Sequence, residues 1–204
     1  FFCCFMVSAT PVWLDCDPGH DDAMAMILAM YNEQVNLLGV STVFGNQTIE
    51  LTTLNALKIH YIAGFPTSVP IVKGAHKALV RPARICSEIH GQEGLDTRSP
   101  DLAALFPSHK ELIEYGKSKD ILSSKKAIEL MAETILNSPD PVTLVCTGSL
   151  TNAATLLSVF PETKTKIEKI VSMGGAMGMG NTSPVAEWNI EIDPEAAKAV
   201  YGAG

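Results

Sequence analysis

Residues 12–32 read VWLDCDPGHDDAMAMILAMYN, and this stretch indicates the fold more clearly than any other part of the chain. Residues 12–17 are apolar and end in acid, which predicts a short buried strand. A Pro-Gly turn follows the strand. Residues 21–32 predict a helix that is apolar on nearly every side, so we expect this helix to be buried. A strand, a tight turn and a helix in succession are typical of the first unit of a parallel α/β sheet.

The same alternation continues along the chain. The hydrophobic pattern predicts further strands at 37–43, 70–73, 142–147 and 167–173, and further helices at 48–63, 124–137, 150–160 and from 193 onward. Residues 74–122 lack periodicity, and we predict a long loop there with a short helix near 109–116. The fold class is therefore α/β, with a mostly parallel, doubly wound, Rossmann-like sheet and helices on both faces. In such sheets ligands bind beyond the carboxyl ends of the strands.

Length, charge and cysteine content narrow the class of protein. The 204 residues are enough for one α/β domain, which we place at 11–204, with the apolar stretch 1–10 as an edge outside the core. The net charge of −7 argues against a nucleic-acid partner, and no apolar run is long enough to imply a membrane partner. The five cysteines are odd in number and form no CxxC pair, so we expect a reducing, cytoplasmic compartment.

Four aspartates fall within eight residues, namely Asp15, Asp17, Asp21 and Asp22. Packing so many carboxylates beside a core is costly, because like charges repel and each carboxylate loses its hydration. A hard divalent cation, Ca²⁺ or Mg²⁺, is the natural counter-charge, and the helix N-terminus also favours negative charge. A local alternative exists for each single residue: Asp21 or Asp22 as an ordinary N-cap, and Asp15 in a local hydrogen bond.

Two phosphate-handling alternatives also arise. A strand that ends in Asp-x-Asp opens haloacid-dehalogenase-type phosphatases, but those place a small hydroxyl residue or Val soon after the second Asp. Here Pro18 and Gly19 follow instead, and the second aspartate pair is foreign to that class. The Gly-rich segment 174–180 weakly suggests a dinucleotide loop, yet it leads into no helix with the right spacing. The phosphatase is kept as an alternative.

Further along the chain, motifs stand at residues 41–48, 89–91, 146–152, 173–181, 187–189 and 193–197. Together with residues 13–23, and in this order, they resemble the conserved blocks of the inosine–uridine-preferring nucleoside hydrolases. The matching blocks are also similar to those of fungal-type uridine nucleosidases. The resemblance implies the nucleoside hydrolase fold and an N-glycosyl hydrolase of purine and pyrimidine nucleoside catabolism, which splits uridine- or inosine-like ribonucleosides into ribose and free base. It also implies a homo-oligomer, either a dimer or a tetramer.

The resemblance further implies one bound Ca²⁺ and a role for each matching residue. Asp17, Asp22 and the backbone carbonyl of Thr147 would be calcium ligands. Asp17 would also be the general base for a calcium-bound water, and His90 would lie near the leaving base as a second catalytic residue. Asp15 would support the cluster from behind. Six residues would bind the substrate: Asp21, Asn46, Met173, Asn181, Glu187 and Asn189.

Simpler interpretations exist for three of these residues. Asn46 follows a glycine and could be a turn residue. His90 could be an ordinary loop histidine, and Glu187 a solvated loop acid. Each of these interpretations depends on contacts that a sequence does not show.

The resemblance departs from the family at its end. Family members continue past residue 201 into a region that supplies another calcium-ligating Asp and a His near the leaving base. We therefore expect the match to be C-terminally truncated, with apolar surface exposed on the sheet and on the helix of Ala197 and Val200. An impaired, nucleoside- or metal-binding remnant is the alternative function.

Overall fold

A six-stranded sheet organises this computed structural model, which describes residues 9–96, 101 and 105–204. The strands are β1 (Thr10–Cys16), β2 (Val35–Thr42), β3 (Ile71–Lys73), β4 (Leu122–Ser123), β5 (Val142–Cys146) and β6 (Ile167–Ser172). The spatial order is β4-β3-β2-β1-β5-β6, and every neighbouring pair is parallel. The predicted edge segment covers residues 1–10. Residues 1–8 lie outside the described residues, and Thr10 already belongs to β1.

Helices connect the strands. They are α1 (His20–Tyr31), α2 (Ile49–Ala63), α3 (Ser87–His90), α4 (His109–Ser118), α5 (Ala127–Asn137), α6 (Thr151–Val159), a 3₁₀ turn (Pro161–Thr165), α7 (Trp188–Glu191) and α8 (Pro194–Tyr201). The predicted strand–helix alternation is confirmed, as is the short helix near 109–116. The two-residue strand β4 was missed in the predicted loop, because two residues are too few to show a period of alternation.

The core lies on both faces of the sheet. Successive side chains of a strand point to opposite faces, so neighbouring residues of β1 enter different clusters. Trp13 packs with Leu144 and Met131 on the face covered by α5, α6 and α8. Leu14 packs with Leu57 on the face covered by α1, α2 and α4. The predicted doubly wound fold with helices on both faces is therefore confirmed.

The sheet order changes direction between β1 and β5. The chain winds outward from β1 through β2, β3 and β4, and then returns to the other side of β1 with β5 and β6. The connections leave β1 and β5 in opposite directions, which opens a crevice beyond the carboxyl ends of these two strands. The acidic turn at residues 15–22 lies at this point.

Two expectations about burial are wrong. The helix predicted to be buried at 21–32 buries only Asp22 and Met26, and it leaves Met24 68% and Leu28 65% exposed. One side of α1 packs on β2 and α2, while helical periodicity turns the other side to solvent. Conversely, Ala197 and Val200, expected to be exposed, are buried in the cluster that contains α6. The apolar surface expected on the sheet is present at Val171 of β6, which is 46% exposed.

Candidate active site

Three carboxylates are buried where β1 runs into α1. Asp15, Asp17 and Asp22 are each at most 1% exposed, whereas Asp21 on the first turn of α1 is exposed. The ion pairs found among the described residues include none of these three buried groups. The acidic cluster is therefore held by hydrogen bonds and has no basic side chain as counter-charge in the described part of the chain.

Within the described residues, only one of the two carboxylate oxygens of Asp17 accepts a hydrogen bond. Its Oδ2 accepts a hydrogen bond of 2.7 Å from the backbone N–H of Asn46. Its Oδ1 is buried and has no hydrogen-bond partner among the described residues. The Asn46 amide nitrogen also donates to the backbone oxygen of Asp17 at 2.9 Å. Asn46 is thus more than a turn residue, because it fixes the position of the Asp17 carboxylate.

Asp22 connects three segments of the chain. Its Oδ2 accepts hydrogen bonds of 3.0 Å from the backbone N–H of Gly19 and from the Asn46 side chain. Its Oδ1 accepts a 2.6 Å hydrogen bond from the hydroxyl of Thr147, which follows β5. The bond to Gly19 is the local helix-capping contact that the sequence left open, with Gly19 as the N-cap itself. The bonds from Asn46 and Thr147 join Asp22 to residues that are distant in sequence.

Asp15 lies in a separate buried network. Its Oδ1 accepts hydrogen bonds from Ser41 Oγ at 2.5 Å and from Asn152 Nδ2 at 2.8 Å, and Ser41 accepts one from the Trp13 indole at 2.9 Å. Asp15 Oδ2 is buried without a partner among the described residues. Asp15 therefore joins β1, β2 and α6 rather than the open part of the site.

Burial makes all three carboxyls hard to ionise. It raises the pKa of Asp15 to about 7, although the hydrogen bonds from Ser41 and Asn152 oppose the rise. Burial, and then the charge of Asp22, raise the pKa of Asp17 well above its usual range. The pKa of Asp22 is also raised by burial, against the hydrogen bond from Thr147. A cation bound beside these groups would reverse the effect, because an opposite charge favours the ionised form.

A cavity of about 400 Å³ opens in front of the cluster. Eight of the residues that the sequence assigned to the site line it: Asp21, Asn46, His90, Thr147, Met173, Asn181, Glu187 and Asn189. The lining also includes five residues that sequence reasoning missed: Cys86, Glu88, Ile89, Thr182 and Trp188. Each missed residue lies within four positions of a predicted one, and this proximity in sequence was the available signal.

The segment 173–191 forms one wall of the cavity, and its polar side chains hold its own backbone. The Asn189 amide nitrogen donates to the backbone oxygens of Thr147 at 2.8 Å and Met173 at 3.1 Å. The Glu187 carboxylate accepts from the backbone N–H groups of Gly175, Asn189 and Ile190 and so caps α7. Glu187 is therefore not simply a solvated acid.

His90 lies at the end of α3 and also lines the cavity. Its ring stacks on His20, with 5.8 Å between the centroids and 18° between the planes. Its Nδ1 is buried and has no partner among the described residues. The ring has a defined environment, unlike that of an ordinary loop histidine.

Asp17 and Asp22 are buried behind the residues that line the cavity and are not part of its lining. Together with Thr147, which does line it, they form a donor set that suits a hard cation. Asp17 Oδ1 has no hydrogen-bond partner among the described residues. The Asn46 side chain donates to both Asp17 and Asp22 and so holds the two residues near each other. The Thr147 backbone oxygen accepts one hydrogen bond and keeps a second lone pair. Carboxylate and carbonyl oxygens are the ligands that Ca²⁺ and Mg²⁺ prefer. No group of three or more His, Cys, Asp or Glu side chains with the arrangement of a metal site occurs in the described ranges. The donor set of Asp17, Asp22 and the Thr147 backbone oxygen contains only two such side chains.

The doubly wound fold, with a buried acidic cluster and a cavity at its switch point, defines an α/β protein with a candidate small-ligand site. The chain belongs to the inosine–uridine preferring nucleoside hydrolase family, whose profile matches residues 12–204. The family and the fold that the sequence predicted are confirmed.

Named relatives and solved structures agree with this assignment. The pyrimidine-specific ribonucleoside hydrolase RihA of Escherichia coli is 42% identical over 196 residues, which are 96% of this chain and 58% of the relative. A plant nucleoside hydrolase structure is 30% identical, with a TM-score of 0.80 over 96% of this chain and 57% of its own. The purine-preferring ribonucleoside hydrolase from Gardnerella vaginalis is 28% identical, with a TM-score of 0.81 over 95% and 58%. The chain thus spans less than two thirds of their length.

The three cysteines in the described ranges, Cys16, Cys86 and Cys146, are free thiols. Within the same ranges, no helix combines the length and the apolar character that crossing a bilayer requires.

Proposed function

We propose that this chain hydrolyses the N-glycosidic bond of ribonucleosides, giving ribose and a free base. The observation that carries the proposal is the set of three buried carboxylates, which form no ion pair within the described ranges, beneath a cavity of about 400 Å³. Membership of the nucleoside hydrolase family supports the reaction type. Uridine is the first substrate to test, because the E. coli relative at 42% identity is named pyrimidine-specific.

Ca²⁺ is the cofactor that we propose. Asp17, Asp22 and the backbone oxygen of Thr147 would hold it, since they supply oxygen ligands and negative charge at one place. When bound, the ion lowers the pKa of water and attracts ribose hydroxyls. Its charge would also favour ionised Asp17 and Asp22, which burial alone disfavours.

The chain's own residues have separate tasks in this proposal. Ionised Asp17 takes a proton from the attacking water. Its Oδ1 has no hydrogen-bond partner among the described residues, and its two lone pairs would serve the cation and this proton. Asn46 commits its amide hydrogens to Asp17 and Asp22, which leaves its Oδ1 to accept from a ribose hydroxyl. The exposed carboxylate of Asp21 binds a second hydroxyl. Breaking the glycosidic bond leaves positive charge on the ribose, and these carboxylates stabilise that charge.

The other wall of the cavity would receive the remainder of the substrate. Met173 and Asn181 line the wall on the segment that Asn189 and Glu187 hold in place. His90 also lines the cavity, and we assign it to the leaving base on this ground.

A base-release assay on the 204-residue chain with uridine and inosine tests the proposal. With excess Ca²⁺ we expect turnover that a chelator abolishes, and Asp17→Asn should lower kcat by about 100-fold or more, the usual contribution of a general base. Asp140→Asn, which removes the charge of an exposed aspartate away from the cavity, is the matched control and should stay within about twofold of wild type. Base release that is equal with chelator and with Ca²⁺ would contradict the cation's role.

A second candidate is binding of a nucleoside or cation without turnover. It is favoured by the donor set itself, which contains only two carboxylates within the described ranges. Calorimetry with Ca²⁺ and with ribose, run on the sample used for base release, separates the two candidates. Binding without base release would establish the second and exclude the first.

A further inference from the structure

Asn55 is a polar residue at an apolar position. It lies in the middle of α2 with 0% exposure, among core residues such as Leu54 and Leu57. Its amide nitrogen donates two hydrogen bonds, but its Oδ1 is buried with no partner among the described residues. An unmet acceptor inside a core costs free energy, so helix stability alone does not explain an asparagine here.

The two hydrogen bonds of Asn55 connect two loops of the candidate active site. One bond, of 3.0 Å, ends on the backbone oxygen of Pro18, the residue after Asp17. The other, of 2.7 Å, ends on the backbone oxygen of Glu93, three residues after His90. A single amide group therefore joins the aspartate turn to the loop that follows the histidine.

The backbone at Gly94 lies close to the Asn55 amide group and leaves little room for that group to move. Gly94 has φ of +83°, which favours glycine, and a Cβ added there would lie 2.8 Å from Asn55 Nδ2. A second bond, of 3.1 Å, runs from the Gln47 side chain to the backbone oxygen of Gly91. The loop after His90 is thus held at two points by residues in and before α2.

The spacing between the two loops matters at the site. His90 packs directly against the aspartate turn, and a Cβ added at Gly19 would lie 2.5 Å from His90 Nδ1. The relative position of Pro18 and Glu93 therefore sets how His90 faces the carboxylates. Asn55 itself is not among the residues that line the cavity.

We infer that Asn55 is a positioning residue, which fixes the distance between the Asp17 turn and the His90 loop through its bonds to Pro18 and Glu93. This inference rests on the proposed function in one respect, because it takes His90 to act on the leaving base. If Asn55 no longer holds the two loops in place, kcat should fall more than KM rises, because the affected interaction of His90 with the leaving base forms in the transition state.

The experiment compares three variants of the full 204-residue chain. Asn55→Leu has a similar volume and no donor. Gly94→Ala crowds the same amide from the loop side and leaves Asn55 in place. Met131→Ala, in the core on the opposite face of the sheet, is the control for general loss of stability. Amide hydrogen exchange of residues 87–94 is measured together with kcat and KM for uridine.

We expect exchange at 87–94 to be at least about tenfold faster in both loop-directed variants than in Met131→Ala. We also expect kcat to fall about tenfold or more, with KM changed by less than about threefold. Exchange equal to that of Met131→Ala would overturn the inference, as would fast exchange with an unchanged kcat. If the wild-type chain releases no base, the proposed function fails, and the exchange rates alone then support or overturn the connection between the loops.

Discussion

The hydroxyl of Thr147 donates a 2.6 Å hydrogen bond to Oδ1 of Asp22, and this bond joins the end of β5 to the first turn of α1. The two residues are 125 positions apart and meet where the sheet order changes direction. The bond orients a carboxylate that we propose as a cation ligand. It also partly offsets the effect of burial on the pKa of Asp22.

Replacing Thr147 by Val should therefore weaken cation binding. The change removes the donor and keeps the shape, so Asp22 loses a hydrogen bond to a charged group, worth about 1–3 kcal/mol. We expect the Ca²⁺ dissociation constant from calorimetry to rise about tenfold, as for other residues that orient metal ligands. Thr147→Ser keeps the hydroxyl and should stay within about threefold of wild type. Equal affinities of the Val and Ser variants would contradict the orienting role.

Asp15 should make the metal-free protein less stable as the pH rises. Its pKa is about 7 in the folded protein, whereas an unfolded aspartate ionises near pH 4. Between these values the folded state holds a proton that the unfolded chain has released. This contribution to stability is complete below about pH 4 and is lost as the pH rises through about 7.

Asp15→Asn cannot ionise, so its unfolding free energy should fall less steeply over that range. We expect a difference in slope of about 1 kcal/mol per pH unit near pH 5–6, from urea unfolding in chelator. Asp140→Asn, with an exposed carboxyl, controls for net charge. A slope in Asp15→Asn that matches wild type would show that Asp15 is ionised throughout.

Ca²⁺ should stabilise the protein more at high pH than at low pH. The ligands must be ionised to bind, and burial raises the pKa of both Asp17 and Asp22, so binding at low pH must first displace protons. We expect the Tm increase on adding Ca²⁺ to be larger at about pH 8 than at about pH 5. Asp17→Asn removes one of the ionisable ligands and should abolish the Ca²⁺ effect. A Ca²⁺ effect independent of pH would exclude buried carboxylates as the ligands.

Asp193 should be a major contributor to stability although it lies outside the cavity. It is fully buried, caps α8 through Ala196, and accepts hydrogen bonds from Thr151 Oγ1 at 2.6 Å and from the backbone of Leu79 at 3.0 Å. Asp193→Ala leaves these donors unmet, and we expect a loss of about 2–4 kcal/mol in urea unfolding.

The control for Asp193 is Glu195→Gln, which breaks an exposed ion pair with Arg81 and should cost less than about 1 kcal/mol. Similar losses in the two variants would mean that the buried network around Asp193 contributes little.

Local pattern predicted most of the fold. The strand at 12–17, the helix from 21 and the later alternation matched β1, α1 and their successors within a few residues, because periodicity and turn chemistry are properties of contiguous residues. Burial was harder to predict. Met24 and Leu28 are apolar yet exposed, while Val200 is buried, because what packs on a helix depends on elements distant in sequence.

The candidate site divides in the same way. Local pattern was enough to predict that Asp15, Asp17 and Asp22 stand at a strand end and a helix start, where their charges require compensation. Their partners became known from the folded chain alone. Ser41 and Asn152 hold Asp15, and Asn46 and Thr147 hold Asp22. One oxygen of Asp17 has no partner in the described part of the chain. These partners could not be predicted because the burial and the hydrogen bonds of a carboxylate come from strands and helices that meet only in the folded sheet.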